Sequence, residues 1–245
     1  MRPVTSAIRS AFRRLGYDIV RYDRYREMAT RWPRHLNVLE LAVRAHLPQE
    51  DRFFFIQIGA NDGMRYDPMR DMVIRYHLAG LLVEPLKDMF EELRKNYASE
   101  TRLLFENAAI GKEDGEQSIF RFASNAPVED WFHGWATFDK GRMRGVAAKR
   151  GLEAYIQEVR VPTLTFKSLI TKYQIENVTL LVVDTEGFDL EIVKMAFEAE
   201  VFPKIVNFES KHLCPKDLYE SRKLLEHYAY SFVDISGDTL AIRKS

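Results

Sequence analysis

The chain has 245 residues, 46% of them apolar and 12% aromatic, which suits one large packed domain and excludes a disordered polymer. Lys plus Arg (36) balance Asp plus Glu (36), and a pI near 7.0 gives no sign of a nucleic-acid partner. The single cysteine, Cys214, excludes an internal disulfide and a zinc framework, no apolar run is long enough to span a membrane, and the first residues carry no signal-peptide core, so a reducing, cytoplasmic setting is expected.

Residues 1–34 carry nine arginines against three acids, Asp18, Asp23 and Glu27. Ile8, Ala11, Phe12 and Leu15 recur there at helical spacing, which makes a basic amphipathic segment. Its small apolar face favours a helix docked on the domain or on a partner subunit of a homo-oligomer. The alternative is peripheral contact with an anionic membrane surface. "HLNVLELAVRAHL" (35–47) predicts a further helix, stopped by Pro48. Residues 1–50 are therefore expected to form an Arg-rich helical extension and residues 51–245 the main domain.

From residue 53 strand and helix patterns alternate. Phe53–Ile58 predicts a strand, 68–77 a helix, "GLLVEP" (80–85) a short buried strand and 86–97 a helix. "RLLFENAAI" (102–110) reads as one strand, paired across Gly111–Gly115 with "QSIFRFA". Residues 124–155 hold Trp131, Phe132, His133, Trp135 and Phe138 without a clean period, and are expected to leave the core as a binding loop or lid. "QEVRVPTLTFKSLITKY" gives a strand and then a helix. "VTLLVVDTEG", "DLEIVKMAF", "KIVNFES" and "KDLYESRKLLEHY" continue the alternation, and "YSFVDISGDTLAIRK" closes it as a hairpin turning at Gly237–Asp238. Buried strands between amphipathic helices imply an α/β fold, a mostly parallel sheet covered on both faces with an antiparallel edge. Such sheets bind ligands beyond the carboxyl ends of their strands, at the switch point.

The residues following each strand are therefore the candidates. Gly59-Ala60-Asn61-Asp62-Gly63 follows the first, where the glycines allow a tight turn and close approach of the backbone to a ligand. The loop fails two of the three positions of the dinucleotide fingerprint, which disfavours a nicotinamide cofactor. Glu84-Pro85 ends the second strand, and Glu84 stands 21 residues past Gly63, the spacing of an acid that accepts from a ribose diol. Asn107-Ala108 in the third strand offers an amide able to read an adenine edge or to satisfy a turn. The fourth strand delivers Asp184 at the edge of a buried run, and Asp189 and Glu191 suit the start of the next helix as caps and dipole partners. The fifth delivers Glu209, followed by Lys211 and His212. Asp184, Glu209 and His212 should converge beside the glycine loop.

"FIQIGANDG", "LLVEP", "NAAIG", "VPTLTFKSLI", "LLVVDTEGFDLEIVKMA" and "IVNFES", in this order across roughly residues 50–243, resemble FkbM-type, S-adenosylmethionine-dependent methyltransferases. The resemblance implies a Rossmann-like class I methyltransferase fold of seven strands and methylation of a hydroxyl, often on a sugar of a glycan, glycolipid or natural product. It implies that Gln57, Asn61 and Asp62 face the methionine moiety and ribose, with Gln57 standing where related enzymes often carry an acid. Backbone amides of the next helix could hold the cofactor carboxylate.

Methyl transfer from a sulfonium to an alcohol needs an aligned hydroxyl and help in removing its proton. His212 suits the base by intrinsic pKa. Asp184 and Glu209 are expected to orient it, to hold a substrate diol or to bind a divalent cation. His133 is a second base candidate, and Trp131 and Trp135 are candidates for stacking on sugar faces. Two other readings remain: a nucleotide-sugar glycosyltransferase using Asp184-x-Glu186 as a metal-carboxylate pair, and a noncatalytic cofactor- or glycan-binding module.

Overall fold

The computed structural model describes residues 37–49, 52–65 and 67–244, apart from the side chains of Gln49, Asp130 and Trp131. The Arg-rich segment, with its expected helix and membrane contact, lies outside the described residues. Among the described residues no helix is long and apolar enough to cross a membrane.

The first described helix, α1 (Val38–His46), buries Leu39, Ala42 and Val43, and a 3-10 turn at Leu47–Gln49 takes up Pro48. Arg75 Nη1 and the Tyr76 hydroxyl both donate to Glu40 of α1, at 2.8 and 2.7 Å. By its internal contacts the larger unit of the chain begins at Leu39 and includes α1 from that residue on.

The main sheet runs β1 (Phe54–Ile58), β2 (Ala79–Val83), β3 (Leu103–Glu106), β8 (Leu180–Val183), β9 (Ile205–Glu209), β10 (Tyr230–Ile235) and β11 (Asp238–Arg243). Their spatial order is β10-β11-β9-β8-β1-β2-β3. The five strands from β9 to β3 are parallel, and β11 pairs antiparallel with both β9 and β10. This is the expected α/β architecture of the class I methyltransferases. The central strands are buried along nearly their whole length, and apolar apart from Gln57, Asn207 and Glu209, because helices cover both faces of a parallel sheet.

One face carries Ile56, Ile58, Leu81, Val83, Leu181, Val183, Val206 and Phe208. These pack in one cluster with α5 (Phe166–Tyr173), α6 (Asp189–Glu198) and α7 (Pro215–His227). Each large aliphatic side chain buried there contributes about 1.5–3 kcal/mol. Side chains alternate along a strand, so Phe55 and Gln57 point to the opposite face.

Register sets the site. Ile58 pairs with Val83 on one side and with Val183 on the other, and Val183 pairs with Phe208. Glu84, Gly59, Asp184 and Glu209 therefore follow one another along a single carboxyl edge. The switch point lies at β1, where the chain leaves towards β2 and β3 and returns on the other side as β8.

Three expectations are corrected. The 102–110 run divides at Asn107-Ala108 into β3 and β4 (Ala109–Ile110), because the two halves pair in different sheets. β4, β5 (Gly115–Phe122), β6 (Ala136–Thr137) and β7 (Ile156–Leu164) form a second sheet of order β4-β7-β5-β6. The 124–155 excursion is ordered, with a 3-10 turn at Asp130–Gly134, then β6 and α4 (Lys140–Ala148). It packs on its own satellite core of Phe120, Phe122, Phe132, Trp135, Met143, Ala147 and Leu152. Finally, the hairpin turns one residue earlier, at Ser236-Gly237, where both residues take positive φ.

Candidate active site

The cofactor-side loop is held from beneath by Glu84. One carboxylate oxygen accepts from the Asn61 amide at 2.9 Å and the other from the Leu86 amide at 2.8 Å. Burial pushes the Glu84 carboxyl up to about 7, against the pull of those two amides and of Arg121. Each oxygen keeps a lone pair, so the group can still accept from a ligand.

The space beside the loop glycines is filled by protein. A Cβ on Gly59, at φ +82°, would lie 1.9 Å from the Asp184 carbonyl oxygen, and one on Gly63 would meet Tyr97 and Leu93 of α3 (Lys87–Asn96) at 2.5–2.6 Å. Close approach here is of chain to chain. Ala60 and Ala108 are buried, and Pro85 half-buried, in the wall behind the loop.

Two expected ligand groups also bind within the protein. Asp62 turns back on its own loop, its Oδ1 accepting from the amides of Met64 and Arg65 at 2.9 and 2.8 Å. Asn107 Nδ2 donates to the carbonyls of Glu84 and Pro85, at 2.8 and 3.1 Å, and so ties strand tips together. Gln57 is different. Its Nε2 donates to Asp67 at 3.1 Å, while its buried Oε1 has no partner. Asp67 also accepts from the Tyr97 hydroxyl at 2.6 Å.

At the far end of the row Asp184, Glu186, Glu209 and His212 meet. Asp184 remains accessible to solvent, yet protein surrounds it closely enough that desolvation, followed by the charges of Glu209, Glu186 and Asp189, raises its pKa well above the usual range. Glu186, in a left-handed conformation at φ 57°, is raised by burial and by Glu209, while the nearby Trp135 indole opposes the rise. Glu209 is 4% exposed. Its Oε1 pairs with Lys211, and its Oε2 lies 3.4 Å from His212 Nε2. His212 Nε2 lies 3.5 Å from Glu186 Oε2, and burial lowers the imidazole pKa, which keeps the ring neutral near pH 7. Asp189 is corrected as a cap: it is the first residue of α6, the N-cap position is Phe188 with no side-chain cap bond, and the two Asp189 oxygens accept from the preceding loop amides of Thr185 and Gly187 at 2.9 Å each; its charge and that of Glu191 do lie in the first turn.

The excursion roofs this edge. Arg121 donates to the His133 carbonyl and to Asp88, both at 2.6 Å. Gly134 lies so close to Asn61 that a Cβ would come within 2.3 Å of its amide. Trp135 is corrected as a stacking residue: it is buried, with Phe122 stacked against its ring and Phe132 at its edge, so only its N–H reaches the site. His133 is half-buried with a partnerless Nδ1. The Trp131 side chain lies outside the described residues. Arg142, which reaches Glu186, and Asp67, which reaches Gln57, were missing from the expected set, whereas Glu186 was named there only as the partner of Asp184 in a metal-carboxylate pair. Asp67 was legible only as the residue before Pro68.

Comparison with known proteins gives the following. The family model described as Methyltransferase FkbM domain matches residues 57–232. No curated protein matches the sequence significantly. Among solved structures, Methyltransferase FkbM from Methylobacillus flagellatus KT aligns at 12% identity and TM-score 0.49, over 78% of this chain and 44% of that one. This chain thus spans less than half the length of that protein. A putative caffeoyl-CoA O-methyltransferase from Staphylococcus aureus aligns at 10% identity and TM-score 0.46, over 92% and 93% of the two chains. An RNA methyltransferase from Salinibacter ruber, in complex with S-adenosyl-L-homocysteine, aligns at 12% and 0.37, over 87% and 95%.

Proposed function

The chain belongs to the FkbM methyltransferase family, and we propose that it methylates a hydroxyl with S-adenosylmethionine, the acceptor class being a sugar of a glycan, glycolipid or natural product. The observation that carries this reading is the single row of strand ends, with Gln57 and Glu84 at one side and Asp184, Glu209 and His212 at the other.

The residues present fit the cofactor. The orphaned Gln57 Oε1 offers a buried acceptor suited to an ammonium or hydroxyl group, and Glu84 has lone pairs left for a ribose diol. When bound, the cofactor supplies an electrophilic methyl group on a sulfonium. Everything else falls to the chain. Asp184 and Glu209 present acceptors to vicinal hydroxyls, as a sugar ring carries them. Glu209 and Glu186 face the Nε2 side of His212, which favours the proton on that nitrogen and leaves Nδ1 to take the hydroxyl proton. The roof built on Arg121, Gly134 and Trp135 limits water at the site.

Two outcomes are expected. With an acceptor in hand, His212→Ala should lower turnover by about 10²-fold while cofactor affinity holds, since the base acts on the acceptor. Near-normal turnover would move the role to His133. Second, S-adenosylhomocysteine should bind about tenfold more weakly at pH 6 than at pH 8. Glu84 titrates near 7, and protonation below that value removes the anionic acceptor, so affinity falls as pH falls. Calorimetry at the two pH values measures it. A failure to bind S-adenosylhomocysteine, with stabilisation instead by a nucleoside diphosphate and manganese, would overturn the proposed function.

A further inference from the structure

Three potential ligand atoms meet at the carboxyl end of β9 with no hydrogen bond joining them. Glu209 Oε2 is buried and unpartnered, on a side chain 4% exposed. His212 Nε2 lies 3.4 Å from it and 3.5 Å from Glu186 Oε2, and one ligand atom from each of the three residues can be chosen so that all lie within 4.8 Å of one another. A first-row divalent cation with bonds of about 2.1 Å holds neighbouring ligand atoms roughly 3.0–3.4 Å apart. The two separations from His212 Nε2, 3.4 and 3.5 Å, are close to that edge and longer than good hydrogen bonds.

We propose that Glu186, Glu209 and His212 form a binding site for a divalent transition-metal cation of the manganese or zinc class. The donor set decides the class: two carboxylates with an imidazole suit these ions, whereas magnesium and calcium favour oxygen alone. The flanking side chains permit it. Lys211 engages Glu209 through the other oxygen, Oε1, and leaves Oε2 free. Arg142 Nη2 donates a long, 3.4 Å hydrogen bond to Glu186 Oε2, which leaves that oxygen a further lone pair.

Occupancy has a chemical consequence. A cation on Nε2 leaves the ring proton on Nδ1, so metal binding and the base role of His212 exclude each other. The site goes beyond the methyl-transfer reading and is tested by binding alone. Manganese added to the purified full chain and followed by electron paramagnetic resonance should lose its free-ion signal, one ion per chain. His212→Ala, at a partly exposed loop position that leaves the core untouched, should weaken binding at least about tenfold. Glu186→Gln should weaken it as well, and magnesium in tenfold molar excess should not restore the free-ion signal. A persistent free-ion signal at millimolar manganese, equal binding by His212→Ala, or ready displacement by magnesium would each overturn the proposal. S-adenosylhomocysteine titrated into the same sample reports separately on the methyl-transfer reading.

Discussion

Gly59→Ala is expected to lower the unfolding free energy by about 3 kcal/mol or more. Two costs combine. Residue 59 sits at φ +82°, where a side chain is strained by about 1–2 kcal/mol, and the new methyl would lie 1.9 Å from the backbone oxygen of Asp184. That oxygen belongs to a strand end pinned by the Asp184 amide on Ile58, so neither partner can yield cheaply. For a domain of this size the melting temperature should drop by roughly 6–12 °C. Urea unfolding with an unchanged slope gives the free energy directly. A midpoint near wild type would mean that β1 and β8 part more easily at this edge than their pairing implies.

The second large effect belongs to Glu84→Ala. Sequence spacing alone predicts a loss of binding with unchanged folding, but the structure adds a stability cost. Removing the carboxylate strands the buried amides of Asn61 and Leu86, at about 1–3 kcal/mol each, besides the bonds to a ribose diol. S-adenosylhomocysteine affinity should fall by at least about tenfold, and about 100-fold if the loop loosens as well. Glu84→Gln separates the two causes, because it keeps one acceptor for the amides and removes the charge. Hydrogen exchange at Asn61 reports the loop, and calorimetry reports the ligand. Wild-type affinity in Glu84→Ala would remove Glu84 from the cofactor site.

Much of this architecture was legible in the sequence because parallel strands must be apolar on both faces. "GLLV", "LLVV" and "IVNFE" therefore stand out, and the residue after each is marked as a site position. Local chemistry was legible too, in the first-turn acids Asp189 and Glu191 and in the closing hairpin. Partner choice was not. Asp62 and Asn107 look like ligand groups, yet backbone amides and carbonyls nearby claim them, and only the folded loop shows which donor is closest. Trp135 illustrates a divided residue, with a ring in the satellite core and an N–H in the site. The second sheet was hidden because β5 and β7 pair across more than thirty intervening residues. The glycosyltransferase alternative, resting on Asp184-x-Glu186 alone, gives way to family membership over residues 57–232.

The sheet order also dictates an assembly sequence. β11 lies between β9 and β10, although it follows both in the chain. As the chain leaves the ribosome, β9 emerges with one edge unpaired and stays so while α7 and β10 pass. A bare apolar edge is a template for pairing with other chains. Completion awaits residues 238–243, which slot in antiparallel and satisfy both neighbours at once. Nascent chains stalled before that point should be the ones that engage chaperones, and the carboxylate of Glu209, opposite Asp238 in the register, reaches its final surroundings only with the last strand to arrive.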